Sequence, residues 1–267
     1  MRAAGHPRIG VWLFSDAPAA ELVDAVVRAE EGGLDEVWIA DEGVPREPLP
    51  VLCYAAARTQ RIELGVGVTS PFLRHPGAIG STLATLDELS SGRALLGIGV
   101  GGGLALDPFG LRADRPVAAV RDAIRIARGV IRREPCEGYE PPHHAGPARD
   151  LPIFVGARGE QLLRLASRDA DGVFLSGFDL DALDAPVEWA RSVRPVHVGL
   201  YASVQFRDGA PHNPTALTGT PQAVADGMRA LADRHAPDTI GLALIDGTGP
   251  LQMIDQAIAA VAAFRSS

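Results

Sequence analysis

Phe154–Gly177, FVGARGEQLLRLASRDADGVFLSG, packs a strand, a turn, a helix and a second strand into one short run. Pro152–Val155 leads into it as an apolar β-branched segment, Glu160–Ala170 has a helical pattern, and Gly172–Leu175 is strand-like again. A strand joined to the next strand through a helix is a βαβ unit, which returns the chain parallel to where it began and in a right-handed sense. One such unit decides little. Its repetition along the chain decides the fold class.

The same alternation extends in both directions. Upstream, strands are predicted over Arg8–Ser15, Glu36–Ala40, Ile62–Thr69 and Arg93–Val100, with helices over Pro18–Glu31, Leu49–Thr59, from His75–Pro76 to Gly92, and Val117–Arg132. Pro18 suits a first helical turn and Gly32–Gly33 a helix stop. Downstream come a helix near Leu180–Ser192, the long strand Val196–Phe206, a polar loop Arg207–Thr220, a helix Pro221–His235, the strand Thr239–Ile245 and a closing helix Leu251–Phe264. Glu134–Asp150 is a Pro/Gly-rich loop. Eight strands alternating with eight helices imply a wholly parallel sheet. At this length eight units favour a closed (β/α)8 TIM barrel over an open doubly wound sheet. No composition shift divides the chain, so residues 1–267 read as a single domain.

Of the 267 residues 46% are hydrophobic and 22% charged, values of an ordinary folded enzyme rather than a disordered chain. The net charge of −8 argues against a nucleic-acid or anionic-membrane footprint. Every basic side chain apart from histidine is arginine. Cys53 and Cys136 stand far apart without a CxxC pattern, which predicts no disulfide framework and a reducing cytoplasm. Met1–Pro7 has no apolar leader-like core, and no run approaches a membrane span.

Gly97, Gly99 and Gly102 in GIGVGG satisfy the spacing of a dinucleotide-binding loop. That mechanism needs a helix to open at once. Here the strand is the fourth, and Gly103–Pro116 reads as a loop. A backbone approached closely at the mouth of a barrel strand explains these glycines better. Asp41–Glu42 follow the second strand, where barrel enzymes place catalytic groups, and adjacent carboxylates could handle protons or anchor a polar cofactor. The competing reading is a pair of loop acids. His75, before Pro76, reads as a helix cap. His143–His144 lack a third ligand at useful spacing, so no metal site is predicted.

Four segments resemble the luciferase-like family, and within it the coenzyme F420-dependent reductases of the methylene-tetrahydromethanopterin reductase type. They are VWIADE (37–42), LGVGVTSPFLRHP (64–76), LLGIGVGGG (95–103) and the opening FVGARGEQLLRLASRDADGVFLSG. LTGTPQAVADGMRALA (217–232) is similar to the family's Gly-Thr-Pro helix start. The resemblance implies a luciferase-like barrel with a deazaflavin or flavin at its mouth. It also implies a cis peptide at Gly67–Val68 against the ring and cofactor contacts from Asp41, Ser70, Val100, Gly101 and Ser176. Arg158–Gly159 would cradle a phosphorylated tail, through a guanidinium and helix-start amides.

The implied activity is hydride transfer between F420 and a small organic substrate, with Asp41 and Glu42 handling the proton and Asp41 facing the ring. An FMN-dependent monooxygenase and a catalytically silent flavin-binding barrel are the alternatives. Sugar-phosphate dehydrogenases of the family carry a histidine and a glutamate where this chain has Glu42 and Gly102, which points away from alcohol oxidation. The segment after strand seven, Arg207–Gly219, is short for the family, leaving a pocket that is open or covered by the second subunit of a homodimer.

Overall fold

The computed structural model describes residues 7–42, 46–144, 146–207, 214–245 and 247–266. Along the chain run β1 (Arg8–Leu13), α1 (Ala19–Glu31), β2 (Glu36–Ile39), α2 (Pro48–Arg58), β3 (Glu63–Thr69), α3 (Pro76–Ser90), β4 (Ala94–Gly99), α4 (Gly103–Leu106) and α5 (Pro116–Arg132). Then follow β5 (Ile153–Gly156), α6 (Glu160–Asp169), β6 (Gly172–Ser176), α7 (Asp184–Ala190), β7 (His197–Gln205), β8 (Ala216–Thr218), α8 (Pro221–His235), β9 (Thr239–Leu244) and α9 (Pro250–Arg265). Every strand pairing is parallel. The ring closes because β6 pairs with β7, β7 with β9, and β9 with β1. The (β/α)8 barrel expected from the alternation is therefore present.

Three local expectations need correction. The polar stretch Arg207–Thr220 contains a strand, β8, whose residues 216–218 pair with Ser203–Gln205 near the end of the long β7. Free backbone groups on that strand outweigh the polar composition of the partner. Residues 208–213 of the same stretch lie outside the described set, as do residues 1–6 of the segment expected to lack a leader. Gly103–Pro116 is not all loop, since α4 makes one helical turn directly after β4 and a 3-10 turn follows over Asp107–Phe109. The helix expected over 180–192 is split. Asp179 caps a 3-10 turn by accepting from the Asp181 amide at 3.0 Å. The chain then restarts as α7, with Pro186 in its first turn, where a missing N–H costs nothing.

The main core lies between sheet and helices. The buried face of α1 carries Leu22, Val23, Val26 and Ala29, and that of α5 carries Val120, Ile124, Ala127 and Ile131. At ~25 cal/mol per Å2 of apolar surface removed from water, this double layer is the dominant stabilising term. Inside the ring the filling differs. Trp12, Trp38, Phe154, Phe174 and Tyr201 form a separate aromatic cluster. Small residues on neighbouring strands make room for it: a Cβ on Gly65 would lie 2.3 Å from the Trp38 ring, and one on Gly241 2.0 Å from the Tyr201 ring.

A carboxylate closes the floor beneath these rings. Glu36, 3% exposed, accepts from Arg8 Nε at 3.2 Å, Trp38 Nε1 at 2.8 Å, Thr239 Oγ1 at 3.5 Å, and the Tyr201 hydroxyl. A buried charge survives only when paired and hydrogen-bonded, and this one is both. Burial and the Glu36 charge raise the Tyr201 phenol well above its ordinary pKa, so it stays a donor. The floor thus holds Trp38 and Tyr201 still, and Tyr201 stacks on Phe174 at 4.0 Å and 13°. Phe174 is the surface on which the site rests.

Candidate active site

At the C-terminal ends of the strands opens a cavity of about 520 Å3. Trp12 and Phe14 wall it from the β1 side, Gly67 and Val68 from β3, Gly156–Arg158 from β5, Phe174, Ser176 and Gly177 from β6 and Ser203 from β7. Residues 100–105, running out of β4, form the remaining side. The peptide between Gly67 and Val68 is cis, as the family resemblance implied. Trp12 Nε1 donates to the Gly67 carbonyl at 2.6 Å, and the Val68 side chain turns into a cradle of glycines. Added Cβ atoms would approach Val68 to 2.9 Å from Gly97, 2.6 Å from Gly99 and 2.7 Å from Gly156. That is the use of the first two glycines in GIGVGG: they receive a valine rather than a pyrophosphate. Gly101 (φ +94°) and Gly102 (φ +139°) then take backbone angles that only glycine adopts without strain.

Glu42, Gly67, Val68, Val100, Gly101, Arg158 and Ser176 all line this cavity. Asp41, Ser70 and Gly159 do not. Asp41 is 2% exposed and gripped by Arg74, with Nη2–Oδ1 at 2.9 Å and Nε–Oδ2 at 3.2 Å. Arg74 also pairs with Glu47 at 2.7 Å. Asp41 thus sits behind the cavity wall rather than lining it. Successive residues leaving a strand point to opposite sides, and here the second of the pair, Glu42, takes the cavity side. Ser70 is a strut, its hydroxyl donating to the Val100 carbonyl at 2.7 Å and accepting from the Phe72 amide at 3.2 Å. Gly159 opens α6 without a side-chain cap, beyond the cavity wall.

Burial pushes the Glu42 carboxyl above the usual carboxylate range; the Arg158 charge draws it partly back and Asp41 adds to the rise. Arg158 itself is exposed, and its guanidinium lies over Gly177, whose Cβ would meet it at 3.1 Å. Among the described residues no carboxylate forms an ion pair with Arg158. A half-buried acid, apolar flat walls and an unpaired cation at the exit are the chemistry available. Trp12, Phe14, Leu162, Phe174, Ser203 and Ile245 also line the cavity, and sequence reasoning did not single them out. For all but Leu162, which lies on α6, positions at the ends of β1, β6, β7 and β9 were the usable signal. Outside the site, His75 caps α3 as expected, accepting from the Gly77 amide at 3.1 Å. His143 and His144 are exposed and meet edge-on.

Residues 5–210 match the family described as luciferase-like monooxygenase. The chain belongs to that family. Among luciferase-like relatives it is 28% identical over 253 residues to a 5,10-methylenetetrahydromethanopterin reductase of Methanolobus tindarius, covering 89% of this chain and 78% of that protein. It is 36% identical over 172 residues to an F420-dependent glucose-6-phosphate dehydrogenase of Nakamurella multipartita, covering 57% of this chain and 51% of that protein. Against the dehydrogenase, then, the chain spans about half the relative's length. The coenzyme F420-dependent tetrahydromethanopterin reductase of Methanopyrus kandleri superposes with a TM-score of 0.79 at 20% identity, over 95% of this chain and 98% of that one. This last likeness carries the luciferase-like barrel fold.

Proposed function

We propose that the chain is an oxidoreductase moving a hydride between coenzyme F420 and a small unsaturated organic substrate. The observation that carries this is one cavity combining a flat apolar slot, a half-buried acid and an exit marked by an unpaired arginine. The residues present fit the cofactor. Trp12, Val68 and Phe174 offer apolar surface for a planar ring, Gly101–Gly103 and Gly177 leave room for a tail, and Arg158 offers charge for a phosphate. F420, when bound, supplies hydride chemistry at its ring. The protein's part is to bind, orient and move a proton. Val68 fixes the ring's depth, Ser176 and Ser203 offer hydroxyls to its polar edge, and Glu42 delivers or accepts the proton. Burial raises its pKa, the direction that suits a general acid. Asp41 and Ser70 support the site from behind.

On the same footing we propose that residues 1–267 act as one domain in a cytoplasmic homodimer. Both cysteines are free. Tyr54 on α2 and Leu89 on α3, 60% and 57% exposed, offer apolar surface on neighbouring helices for a second copy. No helix among the described residues is long and apolar enough to cross a membrane.

Separate titrations of the purified protein with F420 and with FMN test the cofactor, read by absorbance and by the rate at which reduced cofactor reoxidises. Tighter F420 binding with substrate-dependent, oxygen-independent reoxidation supports the reading. Tighter FMN binding with oxygen-dependent turnover replaces it with a monooxygenase. No reoxidation above buffer with any acceptor leaves a silent flavin-binding barrel.

A further inference from the structure

Phe174 and Val68, the two apolar surfaces offered to a cofactor ring, both rest on rings behind them. Phe174 lies flat on Tyr201 and edge-on to Trp38, the latter with ring centroids 5.2 Å apart at 70°. The segment carrying Val68 leans on Trp38 as well: a Cβ on Gly67 would sit 3.1 Å from Trp38 Cε3, and one on Gly97 3.2 Å from Cζ3. Trp38 and Tyr201 are buried and stand behind the cavity lining.

Both rings end on one oxygen. Trp38 Nε1 donates to Glu36 Oε1 at 2.8 Å, and the Tyr201 hydroxyl donates to the same atom. The other oxygen, Oε2, accepts from Arg8 Nε at 3.2 Å and Thr239 Oγ1 at 3.5 Å. The carboxylate is therefore divided, one oxygen for the rings and one for the charge. Glu36 and Trp38 stand two apart in β2 and so point to the same face. Space for the junction is conceded by β1, where a Cβ on Gly10 would lie 2.7 Å from the Tyr201 oxygen and 2.8 Å from Glu36 Cγ.

We propose that Glu36 is a positioning residue for hydride transfer: from the end of the barrel opposite the cavity it holds Tyr201 under Phe174 and Trp38 behind Val68. The inference rests on the hydride-transfer reading above. Glu36 does not line the cavity, and the Phe174 ring stands between it and any substrate, so it takes no part in the proton step. Its contribution is preorganisation. A stack alone leaves a ring free to slide, because aromatic pairs tolerate a range of offsets and separations. A ring tied at its polar end has lost that freedom before the ligand arrives, and the reacting atoms stay within the short range that transfer needs.

Three variants separate position from stability. Tyr201→Phe removes one hydroxyl and keeps the ring and the Trp38 bond. Glu36→Gln keeps an amide oxygen for the two rings but loses the charge that pairs with Arg8. Val224→Ala trims the buried face of α8, away from these rings, and reports what lost stability alone does. Urea unfolding gives the stability of each. The circular dichroism that the protein induces in the visible band of bound F420 or FMN, whichever the wild type takes, reads the seat of the ring without turnover. Tyr201→Phe should alter that dichroism and slow single-turnover hydride transfer by ~10-fold or more, toward the ~100-fold that a misplacement of about 1 Å can cost. The acceptor's KM should change little. Glu36→Gln should be the less stable of the two yet stay nearer the wild type in dichroism and rate, and Val224→Ala should match the wild type in both. If Tyr201→Phe folds with the wild-type dichroism, or if all three variants lose rate in step with stability, Glu36 is structural only and the hydride-transfer reading stands. If the wild type binds neither cofactor, both fall together.

Discussion

The Arg74 guanidinium clamps the Asp41 carboxylate with two hydrogen bonds, at 2.9 and 3.2 Å, while the adjoining Glu42 carboxyl has no such partner among the described residues. Neighbours in sequence thus have opposite environments. Asp41 is neutralised and buried in the wall; Glu42 stands at the cavity. A partly exposed Arg74 that keeps Glu47 softens the loss of Asp41. Asp41→Asn should therefore cost ~3 kcal/mol, the lower end of the range for breaking a buried pair. Urea unfolding checks the loss. Single-turnover hydride transfer, corrected for the folded fraction, should fall far less than the ~100-fold that removal of a general acid takes.

Glu42→Gln should show the reverse pattern. Hydride transfer to an acceptor that needs a proton should drop ~100-fold, and the limb of the pH–rate profile that reports an ionising carboxyl should vanish. Stability gives an independent reading. The folded protein holds the Glu42 proton more tightly than the unfolded chain does, because burial disfavours the carboxylate. The stability this contributes is fully present below the unfolded pKa and is lost as pH rises through the folded one. Wild type should lose unfolding free energy as pH climbs from the ordinary glutamate range into the raised one, and Glu42→Gln should lose less. A steeper slope in the variant would contradict the assignment.

What the sequence revealed and what it hid divide along a physical line. The strands of the ring were legible because a buried parallel sheet demands short β-branched runs separated by helices, as in Phe154–Gly177. The short α4 and β8 were not. β8 depends on pairing, as when Ser203–Gln205 accept Ala216–Thr218, and α4 is a single turn closed by local bonds such as Leu106 N–H to the Gly102 carbonyl, too short for a periodic pattern. In the site, glycines such as Gly97 and Gly99 showed a backbone approached closely, yet not by what. The answer for both is the side chain of Val68, far away in sequence. The choice between Asp41 and Glu42 could not be read locally, since Arg74 decides it. Trp12 and Phe174 carry no local mark of a site and become cavity wall only when the ring closes.

Val68 and its glycines make a volume prediction. A methyl on Gly156 would sit 2.7 Å from Val68 Cγ1, and Val68 could yield only toward the cavity. Gly156→Ala should destabilise by ~1–3 kcal/mol, the usual cost of overpacking, and weaken cofactor binding by narrowing the ring slot. Val68→Ala in the same chain should restore much of both, because the added and removed methyls share one space. A double-mutant cycle by thermal unfolding and cofactor titration measures the coupling. Additive effects would mean that Val68 is free to move elsewhere.

Arg158 makes the sharpest claim about the cofactor. Its side chain is exposed, it lies over Gly177, and its charge reaches Glu42 without pairing to it. Removing such a group should leave the fold nearly unchanged, since exposed charges contribute little to stability. Arg158→Ala should nevertheless weaken F420 by ~1.5–3 kcal/mol, the range for a hydrogen bond to a charged group. A deazaflavin lacking the phosphate should lose much less, and the difference should shrink at high salt as screening grows. The same substitution removes the cation that holds Glu42 down, so the carboxyl limb of the pH–rate profile should move further upward. Equal losses for both ligands, with no movement of that limb, would return Arg158 to the ordinary protein surface.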